Sequence, residues 1–238
     1  MAARQPPHGE AHHRDVQSGG ARAAVFGVSD GLVTNVSLIL GVAAAHPSSA
    51  VVRLTGLAGL VAGAFSMAAG EYVSMQAQRE LLQRELQVER DALLRSPAAE
   101  RRELATIYER RGLDPALAQE LVEEFMRDPE TALATHAREE LGINPEQLGS
   151  PIVAAMSSFV TFALGAFLPL IPWLLSRGGA ATLASVGVGA VAALMVGGSL
   201  GLLTGRSPLR GAARQLFVAA VAAAVTYSIG RVVGVSGF

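Results

Sequence analysis

Apolar residues fall along the chain in five long runs, and charged residues gather in one block between the second and third. The runs cover about 23–45, 51–75, 151–175, 180–203 and 216–235. Each is long enough to cross a bilayer as a helix, which takes about 20 apolar residues. The block at 76–147 has a different pattern, with apolar positions recurring at three or four (Leu104, Ile107, Tyr108; Leu117, Leu121, Phe125; Leu133, Leu141). That spacing predicts amphipathic helices. Ser96-Pro97, Asp114-Pro115 and Asp128-Pro129 each put a capping residue before a Pro suited to the first helical position, and Asn144-Pro145 repeats the pair. Gly112 and Gly142 stand where helices should stop. The expectation is an extension of the second long helix to about Arg95, then helices near 97–111, 115–127 and 129–141. The predicted fold is all-α: five transmembrane helices with a helical insert between the second and third.

Two of the apolar runs carry polar stripes. In the second, Met67, Glu71, Ser74 and Gln78 share one face at helical spacing, and Gly59, Gly63, Ser66 and Gly70 form the stripe beside it. Small residues let another helix approach closely in lipid. An acid beside them is costly there, and so marks a function. In the first run, Gly27, Asp30, Thr34, Ser37 and Gly41 share a face. The short connection at 46–50 makes the first two helices antiparallel neighbours, bringing Asp30 and Glu71 to similar depth. We expect Asp30, Thr34, Met67, Glu71 and Ser74 to line a cation path. In the third run, Pro169 and Pro172 should kink or end the helix beside an interfacial Trp173.

Charge distribution decides between a large globular domain and a membrane protein. Residues 79–147 hold 10 Arg and 16 acids, whereas 148–238 hold five Arg and no acid. A soluble domain rarely leaves so long a stretch without a carboxylate. The chain has no Cys, so any metal site uses carboxylate, His, Met or backbone oxygen. A net charge of −1 gives no argument for nucleic-acid binding, and no catalytic constellation stands out. Residues 1–22, with His8, His12 and His13, read as a disordered tail. With five spans the termini lie on opposite sides. Arg4, Arg14, Arg22, Arg206, Arg210 and Arg214 outnumber Arg53, Arg177 and Arg231 on the other side, which places the N-terminus and the acidic block in the cytosol.

The acidic block pairs its charges at helical spacing: Glu85 with Glu89, Glu100 with Glu103, and His136 with Glu140 beside Glu139. The like charges among them repel unless a cation lies between them. Oxygen ligands with one imidazole suit Fe²⁺, Mn²⁺ or Zn²⁺. On spacing alone, a solvated helix face neutralised by interleaved Arg accounts for the same pattern.

The segments GVSDGLVTNVSLILGVAAA (27–45), GLVAGAFSMAAGEYVSMQAQREL (59–81), HAREELGI (136–143) and SPIVAAMSSFVTFALGAFLPLIP (150–172) resemble the vacuolar iron transporter family, ferrous iron and manganese transporters with a nodulin-like branch. The resemblance covers about residues 24–173. It implies a homodimer of five-helix subunits, a divalent-metal path near the dimer axis, and a cytosolic three-helix metal-binding domain at 76–147. It also implies export of Fe²⁺ or Mn²⁺ from the cytosol in exchange for protons, with the metal as substrate. On the matched positions, Asp30 and Met67 fall on path residues. Glu100, Glu103 and Glu140 fall on acids of the cytosolic domain, with Glu89 more loosely aligned. Gly59 stands where some members carry an acid, and His136 with Ala137 stands where some carry a Met pair. The combined expectation is an integral membrane transporter of a bacterial inner membrane (a vacuolar membrane in a eukaryote) and not an enzyme, organised as 1–22 tail, 23–75 first two spans, 76–147 acidic domain and 148–238 last three spans. A passive channel and a non-transporting metal sensor are the alternatives.

Overall fold

The computed structural model describes residues 19–142, 144 and 149–235, and every regular element among them is helical. The helices are α1 (Gly19–Ala44), α2 (Ser49–Arg95), α3 (Pro97–Arg110), α4 (Pro115–Phe125), α5 (Pro129–Glu139), α6 (Pro151–Phe167), α7 (Ile171–Leu175), α8 (Gly178–Leu203) and α9 (Pro208–Val235). Among the described residues, five stretches are long and apolar enough to cross a membrane: Arg22–Ala44, Ser49–Arg95, Pro151–Leu175, Gly178–Leu203 and Pro208–Gly234. The chain is an integral membrane protein. It divides into two compact units, one from the described residues through Tyr72 and from Pro151 onward, the other Val73–Ser150.

The membrane unit is a bundle in which α1 packs against α6 and α9, and α8 against α9. Its contacts follow from small residues. The backbones of Gly197 and Gly211 approach so closely that a Cβ on either would strike the other's carbonyl, and a Cβ on Gly230 would strike the carbonyl of Gly41. Lipid is as apolar as Leu, so van der Waals contact rather than the hydrophobic effect holds helices together here. Large apolar side chains point outward instead: Leu54, Phe65, Leu183, Phe217 and Val232 are all exposed. α2 meets α1 and α6 through side chains, Gly56 beside Ile39 and Leu170, Gly59 beside Leu38 and Asn35, Gly63 beside the Phe162 ring. Rising numbers on one helix match falling numbers on the other, so α1 and α2 are antiparallel.

The third span is broken where its prolines predicted, by a single 3-10 turn at Leu168–Leu170 between α6 and α7. Buried side chains donate to the carbonyls there, Asn35 Nδ2 to Ala166 O at 2.6 Å and Ser185 Oγ to Pro169 O at 2.6 Å. This is how a bundle satisfies backbone that proline has freed. Trp173 faces into the bundle rather than out of it. It is 3% exposed and packs with Ile39, Val52, Leu170 and Ala181. α1 begins at Gly19, inside the stretch read as a tail; the rest of that tail, with its three His, lies outside the described residues.

In the second unit the Pro-led starts at 97, 115 and 129 are as expected. Of the three cap residues only Asp128 accepts a cap hydrogen bond, from Thr131 N at 2.9 Å, and Thr131 Oγ1 adds a second at 2.6 Å. These bonds hold the Asp128 carboxyl below its usual range. Gly112 (φ +100°) and Gly142 (φ +66°) take the left-handed conformation that ends a helix. The core joins Leu104, Ala105 and Val122, with Tyr108, Phe125 and Met126 against it. Each fully buried aliphatic side chain here is worth roughly 2 kcal/mol. The α4 face is turned from the one expected, because Leu117 is 55% exposed and Ala118 and Val122 are buried instead. Asn144-Pro145 falls at the edge of the described residues.

Candidate metal centres

The structure brings sequence-predicted residues together at two places, one in each unit. In the membrane unit, a cavity of about 430 Å³ is walled by Asp30 and Thr34 from α1 and by Ser66, Met67 and Glu71 from α2. The antiparallel register brings the two stripes to one level. Thr34 Oγ1 donates to Asp30 Oδ1 at 3.2 Å, one turn away on α1. The Phe162 ring, 2% exposed, lies against Gly63 at the cavity wall. Asp30 also lines a second hollow of about 270 Å³ with Gln215 and Leu200, and there Gln215 Nε2 donates to Ser29 Oγ at 2.5 Å. Two carboxylates and a thioether around one water-accessible space are a donor set for a divalent transition metal.

Not every member of the two stripes reaches this cavity. Ser74 is exposed and outside its wall. On α1, Gly27 packs against Ser158 and Thr161 of α6, whereas Gly41 packs against Thr226 of α9. A straight stripe meets several neighbours when helices cross at an angle. The residue missed by sequence reading is Arg22, whose Nη2 lies 2.9 Å from Glu71 Oε1. It recurs every four residues with Phe26 and Asp30, and that spacing was its signal.

In the second unit, Glu89 of α2, Glu100 of α3 and His136 of α5 offer ligand atoms that all lie within 4.8 Å of one another. From His136 Nδ1 the distances are 3.1 Å to Glu89 Oε1, 3.8 Å to Glu100 Oε2 and 3.9 Å to Glu140 Oε2. Burial drives the electrostatics. It raises Glu89 from 4.5 to about 7, with help from Glu140, Glu100 and Glu103. Glu100 is raised by burial and then Glu103, and Glu140 by burial and then Glu103 and Glu100. His136, with none of its surface exposed, is pushed down by burial despite the pull of Glu103. The imidazole is therefore neutral near pH 7, and these contacts are not ion pairs. Among the described residues, neither ring nitrogen of His136, nor Oε1 of Glu89, has a hydrogen-bond partner. Buried polar atoms left so cost about 1–3 kcal/mol each. A divalent cation satisfies Glu89 Oε1 and one imidazole nitrogen at once, and neutral imidazole with carboxylates is a fitting set for Fe²⁺, Mn²⁺ or Zn²⁺.

The remaining acids divide. Glu103 is exposed at the rim, close enough to shift its neighbours. Glu85 is exposed one turn before Glu89. Glu139 faces elsewhere, accepting from Tyr108 Oη at 3.2 Å and pairing with Arg111, which stacks over the Tyr108 ring. It is a structural tie between α5 and α3 rather than a member of the cluster.

The VIT family model matches residues 21–231, across both of these sites. The chain belongs to the VIT family. Similar proteins include a vacuolar iron transporter 1 from Oryza sativa subsp. japonica, 32% identical over 98% of this chain and 94% of the relative. A vacuolar iron transporter from Acanthamoeba castellanii is 36% identical over 93% and 82%. A vacuolar iron transporter homolog 2 from Arabidopsis thaliana is 32% identical over 91% and 85%. The VIT match extends through α8 and the last long helix, beyond the stretch whose motifs carried the resemblance. Members of this family are transporters, not enzymes.

Proposed function

We propose that this protein moves Fe²⁺ or Mn²⁺ out of the cytosol in exchange for protons. The observation that carries the reading is the convergence of Asp30, Met67 and Glu71 on one cavity among membrane-length helices. Ionised carboxylates without a partner are strongly disfavoured in lipid. A divalent ion neutralises the pair, and so do protons, so loaded states are tolerated and the bare one is not. That asymmetry is the condition for obligatory exchange. The cavity is completed by a second copy of the chain in a homodimer, so that two sets of acids face a shared axis. The Glu89–Glu100–His136 cluster, with Glu103 and Glu140 at its edge, captures the ion in the cytosol, and Zn²⁺ competes there. The membrane is a bacterial inner membrane, with the N-terminus and the acidic unit inside.

Purified protein in liposomes tests this directly. Uptake of Fe²⁺ and Mn²⁺ should rise with an opposing pH gradient and collapse when the gradient is reversed. Flux indifferent to the gradient belongs to a passive channel, and no flux with intact binding belongs to a sensor. A cysteine at Ser96 should react only from the cytosolic side and one at Gly178 only from the other; labelling of both from one side overturns the orientation.

A further inference from the structure

The membrane cavity contains a fixed charge that exchange of metal for protons does not by itself require. Arg22 Nη2 sits 2.9 Å from Glu71 Oε1, and Arg22 also forms part of the wall around Asp30 and Met67. The Glu71 side chain is 17% exposed and that of Arg22 is 63% exposed. The acid is thus the anchored partner and the guanidinium the movable one. Arg22 stands in the first turn of α1, which begins at Gly19. Its long stem lets the head swing into water without disturbing the helix.

We infer that Arg22 is a tethered counter-cation of the transport cycle, holding Glu71 while the ion is absent and standing in for one of the protons. The inference rests on the exchange reading above. With the metal bound, Asp30 and Glu71 are already neutralised. A third positive charge a few ångströms away is then repelled, so Arg22 leaves the cavity. With the metal gone, Arg22 returns and cancels Glu71, and a single proton on Asp30 completes neutrality. Without Arg22 the same two acids need two protons. Arg22 never crosses the membrane, so each cycle carries two positive charges outward with the metal and one inward with the proton. The exchange is therefore one proton per ion and electrogenic. The ion also meets competition: Glu71 becomes available only as Arg22 is displaced, which sets a threshold on the metal concentration that opens the path.

The test uses the full chain in phosphatidylcholine–phosphatidylglycerol vesicles, with Mn²⁺ as the probe and valinomycin with K⁺ to hold the potential at zero. The readout is the pH difference at which net Mn²⁺ flux vanishes against a tenfold Mn²⁺ gradient. One proton per ion places that point at about one pH unit, and two protons at about half a unit. Wild type and Arg22→Lys should balance near one unit, and their null point should shift when a potential is imposed. Arg22→Gln should balance near half a unit and ignore the potential. A wild type that balances at half a unit without sensitivity to potential overturns the role of Arg22, and needs no variant to do so. An Arg22→Gln null point equal to that of wild type also overturns it, while leaving exchange intact. A wild type with no response to the pH gradient overturns exchange itself, and this inference with it.

Discussion

Two clusters of carboxylate lie in one chain, and they treat their charge in opposite ways. In the membrane unit, Glu71 has the Arg22 guanidinium and Asp30 has the Thr34 hydroxyl. In the other unit, Glu89 and Glu100 face each other and a neutral imidazole, and among the described residues Glu89 Oε1 is left without a hydrogen bond. The first site is partly compensated before any ion arrives, so a cation displaces something and gains less. The second is charged, buried and unsatisfied, so a cation gains the whole relief of repulsion and desolvation. A transport path needs occupancy that can be undone; a capture site needs affinity. The difference in compensation suits each to its proposed task.

The largest expected effect comes from the compensated site. Asp30→Asn keeps the volume and a hydrogen-bonding group but removes a charge that balances the metal. It should lower liposome flux by about a hundredfold, the equivalent of about 3 kcal/mol, while the protein still inserts. Glu71→Gln should do the same, and the double variant should be hardly worse, because residues acting as a unit are not additive. Substantial flux through Asp30→Asn would remove the cavity from the path.

His136→Ala sharpens the other side of the comparison. It removes the imidazole ligand and should weaken Mn²⁺ binding at the cluster by about tenfold or more in calorimetry on the full chain, at least the loss that removing a group supporting a ligand brings. Flux at saturating metal should persist, since the membrane path is untouched. Equal losses in binding and in saturated flux would mean that the two sites act as one.

Legibility from sequence differed between the same two places. Membrane spans, the Pro-led helix starts and the acid pairs are periodic features, and periodicity survives folding. Which acids meet depends on helix rotation, and that is set by the core. Ala118 and Val122 rather than Leu117 form the buried face of α4, and Glu139 turns to Tyr108 and Arg111 rather than to His136. In the membrane, Asp30 and Glu71 were legible because antiparallel register follows from one short loop. Arg22 was not, because a flanking arginine reads first as a topology signal and its partner lies 49 residues away.

A third expectation concerns pH. Glu89 titrates at about 7 in the fold and near 4.5 unfolded. Its folded pKa is raised, so its stabilising contribution is complete below about 4.5 and is lost as pH rises through about 7. Without metal, the amide hydrogens of the second unit should have lower protection factors, each rate taken against the intrinsic rate at the same pH, at pH 8 than at pH 5. Metal binding should run the other way, strengthening up to tenfold per unit below pH 7 and levelling off above it. Protection that is independent of pH in the metal-free protein would deny Glu89 its buried, crowded setting.

The smallest effect on metal should come from Glu139→Gln. It should leave Mn²⁺ affinity unchanged and cost about 1 kcal/mol of stability through the weakened ties to Tyr108 and Arg111. A fall in affinity comparable to that of His136→Ala would return Glu139 to the ligand set.

The protein also carries its own optical label. Trp173 is its single tryptophan, and it is sealed among Ile39, Val52, Leu170 and Ala181 in the membrane bundle. Its emission should be short in wavelength and hard to quench from water. A change in that colour during turnover would report motion of the bundle alone, with no fluorophore added and no signal from the acidic unit.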